Sequence, residues 1–280
     1  MADAINSIGF IGLGSMGAGQ ARELAKLPIP LTVFDISAEA MQPFVGRATL
    51  AADVAQVGAT SDCVGVCVQD DQQVNECVDQ LMPAMKPGSI ILIHSTVRPA
   101  TVLDIARRAE ERGITVMDAA VTRTEMTSDG PFVFSLLAGD EAPMKRIEPV
   151  LQAYSTNVMH VGPLGSAMAL KICNNLISWC EIMLGLEAMQ IAEAASVPLD
   201  KLVTVMSRNG VMTPPMKALI DFRNNSRSQK QRETMVVQGY IGEKDLSLAS
   251  ELAAEVMATS PVTEFVRDRV RRDIEDLCRS

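Results

Sequence analysis

The part of the sequence that decides the fold is Ser7-Ile8-Gly9-Phe10-Ile11-Gly12-Leu13-Gly14-Ser15-Met16-Gly17. An apolar run of strand length leads into a Gly-x-Gly-x-x-Gly pattern, and a helical stretch rich in Ala and Leu follows. Gly12 permits a tight turn, Gly14 lets the backbone approach a pyrophosphate, and Gly17 allows close packing of the helix. The start of the helix adds N–H donors and the positive end of its dipole. With a strand before it and a helix after it, the pattern predicts a dinucleotide-binding turn that includes Leu13, Ser15 and Met16, whereas the glycines alone would also fit an ordinary turn.

An acidic residue follows the second predicted strand. Residues 31–34 form an apolar run that ends on Asp35, 18 residues after Gly17, where a dinucleotide fold carries the acid that binds the adenosine ribose hydroxyls. A carboxylate at this place repels a 2′-phosphate, and the next two residues bring no arginine to bind one, so the sequence favours NAD over NADP. In the alternative interpretation, Asp35 is the N-cap of a helix that starts at Ala38.

Strands and helices alternate through the first half of the chain. Further strands are predicted at residues 63–68, 89–94, 115–119, 132–138 and 157–161, and helices at residues 71–82 and 100–112. This alternation is typical of a doubly wound parallel sheet of the Rossmann type, an α/β fold. Ligands bind beyond the carboxyl ends of such strands. Val68, Thr96 and the segment Val121-Thr122-Arg123-Thr124 fall at these ends.

The second half of the chain has only helical patterns. Residues 165–195 contain no proline and predict one long buried helix, and shorter helices are predicted at residues 198–206, 213–221, 243–257 and 262–277. The longest uncharged run of the long helix carries several polar residues, which argues against a membrane span. We therefore expect two domains, a dinucleotide-binding domain over residues 1–163 and an all-helical domain over residues 164–280.

Two polar features in this half have alternative interpretations. Lys171, Asn175 and Ser178 form a polar stripe at 4- and 3-residue spacing on the long helix, which indicates either a cleft or a lysine that extends to the surface. Residues 223–232 are polar and locally basic. They predict either a solvated loop or a lid that attracts anions.

Composition limits the classes of partner. The chain has 280 residues, 48% of them hydrophobic, and a formal net charge of −9. This acidic balance argues against nucleic acid and anionic membranes, which bind basic surfaces. The six cysteines form no Cys-x-x-Cys pair and there are only two histidines, so we expect reduced thiols and no metal site. The first residues lack the features of a secretory signal, which favours the cytoplasm.

Four segments together resemble the β-hydroxyacid dehydrogenases, a family that includes 3-hydroxyisobutyrate dehydrogenase and tartronate semialdehyde reductase. The segment Gly9 to Gly17 is similar to the cofactor signature of the family. Asp118-Ala119-Ala120-Val121-Thr122-Arg123-Thr124 is similar to its substrate segment, and the segment from Gly165 through Lys171 to Asn175 is similar to its catalytic segment. Lys244-Asp245-Leu246-Ser247-Leu248-Ala249 matches a further motif.

The resemblance implies a role for individual residues. It makes Lys171 the catalytic lysine and Asn175 its neighbour at the reacting oxygen, in a cleft between the two domains. Thr96 becomes a cofactor contact, and Lys244 a contact near both cofactor and substrate. The implied reaction is hydride transfer between NAD and a small hydroxyacid or its semialdehyde, catalysed by a homodimer or homotetramer. An imine reductase, or a non-catalytic dinucleotide-binding module on the same fold, is the alternative.

The substrate segment departs from the family pattern. Thr122, Arg123 and Thr124 replace the usual Ser-Gly-Gly. Thr122 keeps the hydroxyl group, and Arg123 adds a planar fork of donors suited to carboxylate or sulfonate. This Arg-Thr pair resembles the variant of sulfolactaldehyde reductases, so we expect a small anionic substrate; alternatively, Arg123 pairs with an acidic residue of the other domain. His94 replaces a methionine that is usual in the family.

Overall fold

A computed structural model describes residues 4–123, 130–225 and 228–279 of the chain. The chain separates into two compact units, Met1–Lys171 and Ile172–Ser280. The boundary falls inside one long helix, which contributes its first turns to the first unit. All six cysteines are free thiols. No helix in the described parts of the chain has the length and apolar character needed to cross a membrane.

The first unit contains one sheet. Its strands within the described ranges are β1 (Ile8–Ile11), β2 (Leu31–Phe34), β3 (Thr49–Leu50), β4 (Cys63–Val66), β5 (Ile90–Ile93), β6 (Thr115–Arg123), β7 (Val133–Ala138) and β8 (Ser155–Gly162). Their order is β3-β2-β1-β4-β5-β6-β7-β8. The pairs from β3 to β6 are all parallel, β7 runs antiparallel to β6, and β8 runs parallel to β7. The predicted Rossmann-type sheet is therefore confirmed.

Helices cover both faces of this sheet. They are α1 (Gly17–Leu24), α2 (Ala38–Met41), α3 (Val54–Thr60), α4 (Asp71–Leu81), α5 (Pro99–Glu110) and α6 (Glu141–Tyr154), with a 3-10 turn at Gln42–Phe44. Alternate residues of β5 enter different apolar clusters, Ile91 and Ile93 with α3 to α5, and Ile90 and Leu92 with α1 and α6. Strands buried on both faces explain why their sequences are continuous apolar runs.

Several short elements of this unit were not predicted from the sequence. They are β3 and α3, which lie between β2 and β4, and α6, which contains Pro149. The helix α3 is seven residues long, too short to show a clear apolar period, and its N-cap is Asp53, whose carboxylate accepts a hydrogen bond from the N–H of Gln56 at 2.7 Å. Proline inside α6 disfavours a helical prediction. The buried residues Ile147, Val150 and Leu151 nevertheless pack this helix into the core.

The regular elements among the described residues of the second unit are all helices, as predicted. The helices are α7 (Ser166–Ala194), α8 (Leu199–Arg208), α9 (Pro214–Asn225), α10 (Gln229–Glu255) and α11 (Pro261–Arg279). Trp179 of α7, Leu246 of α10, and Val270 and Ile274 of α11 form the main apolar cluster.

The predicted loop or lid over residues 223–232 is wrong for the described part of this segment. Residues 223–225 end α9, residues 229–232 begin α10, and residues 226 and 227 lie outside the described ranges. A capping box starts α10: the Ser228 hydroxyl accepts from the N–H of Gln231, and the Gln231 side chain accepts from the N–H of Ser228. Arg223 is paired with Glu193, its Nη2 lying 2.6 Å from the carboxylate. The helix predicted at residues 243–257 therefore begins much earlier.

One face of α7 differs from the prediction of a buried helix. Ile177, Leu184 and Ile191 are 59%, 61% and 62% exposed in the single chain. They are spaced by seven residues, which is two helical turns, and Leu170 precedes them at the same spacing. Met168, Ile172 and Met189 on other sides of the helix are buried. The chain thus carries an exposed apolar row, defined here as Leu170, Ile177, Leu184 and Ile191.

Candidate active site

The glycine turn joins β1 to α1, and its three glycines are needed for different reasons. Gly12 has φ 89°, and a Cβ on it would collide with the carbonyl of Cys67. A Cβ on Gly17 would collide with the carbonyl of Gly12. At Gly14 a Cβ would meet no atom of the chain within 4 Å. The space beside Gly14 therefore leaves room for a pyrophosphate to approach the backbone, which fits a dinucleotide.

Asp35 lies beside this turn at the end of β2. Its Oδ2 accepts a hydrogen bond from the N–H of Leu13 at 2.6 Å, and its Oδ1 accepts one from the N–H of Ser37 at 2.8 Å. The N-cap of α2 is Ser37, whose hydroxyl accepts from the N–H of Ala40. The interpretation of Asp35 as the cap of this helix is therefore wrong. Two backbone hydrogen bonds fix the carboxylate next to the glycine turn and leave lone pairs for ribose hydroxyls.

The ends of β4 and β5 are connected by a serine that the sequence analysis gave no role. Ser95 is buried, and its Oγ accepts a hydrogen bond from the N–H of Val68 at 2.8 Å. Val68 and Thr96, both half-buried, follow the two strands at the carboxyl edge of the sheet. Ser95 therefore holds in place the two loops on which the predicted cofactor contacts lie.

A histidine connects β5 to β6. His94 is buried against Phe10, and its Nδ1 lies 2.6 Å from the carbonyl oxygen of Ala119 while its Nε2 lies 3.4 Å from the hydroxyl of Tyr154. Burial lowers the pKa of His94 from 6.5 to about 4. The ring is therefore neutral at pH 7, and the carbonyl of Ala119 requires the proton to sit on Nδ1.

The strand β6 carries the predicted substrate segment. Thr122, half-buried, pairs with Phe134 of β7. Arg123, exposed, donates through Nη2 to the carbonyl oxygen of Ser15 at 3.3 Å and lies 3.5 Å from the sulfur of Met16. These two contacts are with the glycine turn, not with an acidic residue. Thr124 lies outside the described residues.

The start of α7 is attached to β6 by Asp118. This side chain is fully buried, and its Oδ2 accepts a hydrogen bond from the N–H of Met168 at 3.0 Å. Burial raises the pKa of the Asp118 carboxyl above its ordinary value, and the N–H groups of Met168, Gly165 and Ala167 act in the opposite direction. Lys171 follows three residues after Met168 and is half-buried. The position of Lys171 therefore depends on this carboxylate.

A buried acid holds Asn175. The Oδ2 of Asp245 accepts from Nδ2 of Asn175 at 2.8 Å and from Nε1 of Trp179 at 3.3 Å, and Nζ of Lys244 lies 3.1 Å from Oδ1. Asp245 is 2% exposed. Because a carboxylate only accepts hydrogen bonds, it fixes the Asn175 amide with one N–H turned toward Asp245. Asp245 stood in a quoted motif without a role, and with the charged residues Glu243 and Lys244 directly before it no local pattern marks it as buried.

Similar proteins of known name support an NAD-binding domain and an oxidoreductase activity. Residues 7–162 match the family model described as the NAD binding domain of 6-phosphogluconate dehydrogenase. The chain is 32% identical to an uncharacterized oxidoreductase of Mycobacterium tuberculosis over 94% of this chain and 91% of that protein. It is 28% identical to an NAD-dependent L-serine dehydrogenase of Pseudomonas aeruginosa, covering 92% and 89% of the two chains.

Two further proteins also match nearly the whole length of this chain. A 3-sulfolactaldehyde reductase of Escherichia coli is 25% identical over 94% of this chain and 88% of that protein. The crystal structure of a 3-hydroxyisobutyrate dehydrogenase from Salmonella typhimurium has a TM-score of 0.83, with 23% identity and 99% of each chain covered. The latter similarity shows the fold.

The sheet and the glycine turn define a dinucleotide-binding protein, and the relatives named as oxidoreductases or dehydrogenases give its class. Together with the family match and the relatives of nearly full coverage, they show that the chain belongs to the β-hydroxyacid dehydrogenase family.

Proposed function

We propose that this dehydrogenase interconverts a small anionic hydroxyacid and its aldehyde or semialdehyde, with Lys171 moving the proton. The observation that carries this proposal is the environment of two residues four positions apart on α7. Lys171 is half-buried one turn after the Asp118 anchor, and the amide of Asn175 is oriented by Asp245. Residues at this spacing share one helix face. A lysine and an oriented amide on one face are suited to bind a single reacting oxygen.

The chemistry assigned to the chain is a proton transfer. The nicotinamide, when bound, supplies the acceptor or donor of the hydride. In oxidation the hydroxyl proton of the substrate passes to Nζ of Lys171 in its amine form, and in reduction the ammonium form returns this proton to the carbonyl oxygen. The second N–H of the Asn175 amide donates a hydrogen bond to the same oxygen. We assign Lys244, which is paired with Asp245, to a contact near cofactor and substrate.

We assign the anionic head of the substrate to Thr122, Arg123 and Thr124. A hydroxyl group and a guanidinium fork suit a carboxylate or a sulfonate. Two relatives support a small compound with an anionic head group, since one is named an L-serine dehydrogenase and the other a 3-sulfolactaldehyde reductase. Val68 and Thr96 are assigned to the cofactor, together with the glycine turn and Asp35.

We also propose that residues 164–280 act as a helical domain for substrate binding and assembly. The support for assembly is the exposed apolar row on α7, because an aligned row of large apolar side chains is unusual on the surface of a monomer. A homodimer or homotetramer that covers this row is the assembly we infer.

The experiment that tests the reaction is replacement of the lysine. Lys171→Ala is expected to lower kcat by about 100- to 10,000-fold, the range of a lost general acid or base. NADH binding, measured by fluorescence, should stay within about twofold of the wild type. Lys217→Ala is the matched control, since Lys217 is exposed on α9 and paired with Asp221. Wild-type rates in Lys171→Ala would refute the proposed role.

A panel of substrates tests the head group and the alternative functions. Compounds of equal chain length that end in carboxylate, sulfonate or phosphonate are compared on the wild type and on Arg123→Gly. A charge-assisted bidentate bond contributes about 1.5 to 3 kcal/mol. Its loss in Arg123→Gly is expected to lower the rate with the preferred head group about ten- to hundredfold. Unchanged rates and ranking would remove Arg123 from the substrate site. A cyclic imine belongs in the panel, and its turnover without turnover of any hydroxyacid would favour an imine reductase.

A further inference from the structure

The strand β6 extends past the carboxyl edge of the parallel sheet. It pairs with β5 over residues 115–118, and from Asp118 to Arg123 it pairs with β7. At about 3.3 Å per residue, the five residues after Asp118 reach about 16 Å beyond the last pair with β5. This edge is where doubly wound sheets bind their ligand. The end of β6 therefore projects beyond the edge of the sheet at which the cofactor is expected to bind.

The guanidinium at this end is held by residues of the cofactor-binding turn. Nη2 of Arg123 donates to the carbonyl of Ser15 and lies next to the sulfur of Met16. Its Cζ lies 5.9 Å from the centre of the Phe132 ring. Phe132 in turn packs on α1, because a Cβ on Gly19 would meet its ring at 2.5 Å. Arg123 is thus in contact with both the glycine turn and a ring that rests on the following helix.

These contacts leave donors for an anion. The two polar contacts described here use Nη2, whereas a guanidinium has five N–H donors in a rigid plane. The carbonyl of Ser15 is a neutral acceptor, and a phosphate oxygen binds a guanidinium about twice as strongly. The anion expected beside Gly14 and the start of α1 is the diphosphate of the dinucleotide. In a chain of net charge −9, a local cation also offsets the long-range repulsion of this ligand.

We propose that Arg123 is a cofactor-binding residue whose guanidinium binds the diphosphate of NAD. The inference rests on the NAD-binding turn and not on the substrate role proposed above for the same side chain. Its consequence is that Arg123 contributes to cofactor affinity in the absence of any substrate. Replacing it therefore affects binding even where no reaction takes place.

The test is a titration of the full-length protein without substrate. NADH and ADP-ribose, which share the diphosphate, are titrated by calorimetry into the wild type, Arg123→Met and Arg123→Lys. Arg123→Met is expected to weaken both ligands by the same factor, about ten- to hundredfold. Arg123→Lys keeps the charge and loses the fork, so a smaller loss is expected. Arg107→Met is the control, since Arg107 is exposed on α5 beside Asp104 and Glu111.

Several outcomes would overturn the inference. Unchanged Kd values for NADH in Arg123→Met would refute it, and a loss for NADH without a loss for ADP-ribose would place the contact at the nicotinamide side instead. Raising the salt concentration should weaken NADH binding less in Arg123→Met than in the wild type. Equal melting temperatures verify that the variants are folded, and Arg123→Lys carries the test if Arg123→Met does not fold.

The same variants separate this inference from the proposed substrate role. Weaker NADH binding with an unchanged ranking of substrate heads supports a cofactor residue alone. An altered ranking with unchanged NADH binding supports a substrate residue alone and refutes the diphosphate contact. The proposed reaction is tested by Lys171→Ala in either case.

Discussion

The carboxylate of Asp118 accepts a hydrogen bond from the backbone N–H of Met168, at 3.0 Å, and is completely buried. This bond joins β6 of the sheet to the first turn of α7. A carboxylate near the start of a helix also interacts favourably with the helix dipole. Since Lys171 lies one turn further along α7, this bond helps to fix the position of the proposed proton-transfer residue.

Asp118→Asn is expected to lower both stability and kcat. The amide removes the charge and turns an N–H toward backbone donors, so unfolding in urea should show a loss of about 1–3 kcal/mol. A shift of the first turn of α7 should lower kcat more than it raises KM. Asp140→Asn is the control, because Asp140 is the exposed N-cap of α6 and makes no side-chain capping bond. Equal losses of stability and of kcat in both variants would show that Asp118 has no special role.

Asp245→Asn is expected to reduce activity through Asn175. The new amide can offer an N–H where Asn175 and Trp179 need an acceptor, and it leaves Lys244 without its carboxylate. Loss of a hydrogen bond to a charged group amounts to about 1.5–3 kcal/mol, which corresponds to a ten- to hundredfold fall in kcat/KM. Steady-state kinetics measure this fall. Asp221→Asn, an exposed acid paired with Lys217, should keep wild-type kinetics, and a similar fall there would contradict the assignment.

His94 predicts a loss of stability in mild acid. Its folded pKa of about 4 lies below the unfolded value of 6.5, so the unfolded chain binds more protons between these values. The contribution of neutral His94 to the free energy of unfolding is fully present above pH 6.5 and is lost as the pH falls toward 4. The total loss is about 3 kcal/mol, at about 1.36 kcal/mol per unit of pKa difference. Urea unfolding between pH 4 and 8 measures the slope. His94→Gln should flatten it, whereas exposed His160→Gln should not; an unchanged slope in His94→Gln would exclude His94 as its source.

Asp35 predicts the preference among cofactors. Asp35→Asn should narrow the difference in Kd between NADH and NADPH, because the neutral amide no longer repels a 2′-phosphate. Fluorescence titration with both nucleotides measures the difference without a substrate. Tighter binding of NADPH by the wild type, or an unaltered ratio in Asp35→Asn, would be incompatible with this role. Asp53→Asn is the control, since Asp53 caps α3 by a hydrogen bond to Gln56.

The exposed apolar row predicts self-association. Leu184→Glu places a charge in the middle of the row and is expected to shift sedimentation at micromolar concentration from dimer or tetramer to monomer. Met257→Glu is the control, since Met257 is 93% exposed near the end of α10 and outside the row. A wild-type monomer, or an unchanged assembly in Leu184→Glu, would show that the row has another role.

The sequence by itself determined the features that depend on neighbours along the chain. The glycine turn, the 18-residue distance to Asp35, the alternation of strands and helices, and the spacing of Lys171 and Asn175 are local patterns with a direct physical reason. The short helix α3 and the proline-containing α6 escaped prediction, because burial against the sheet overrides weak or unfavourable local signals.

Only the tertiary structure decided which polar groups meet. Asp118 and Met168 are 50 residues apart, Asn175 and Asp245 are 70 apart, and Arg123 and Ser15 are 108 apart. No period or motif specifies such pairs, since each one depends on how strands and helices pack. For the buried carboxylates of Asp118 and Asp245, removal from water also requires a partner within reach, and the packing determines which residue that partner is.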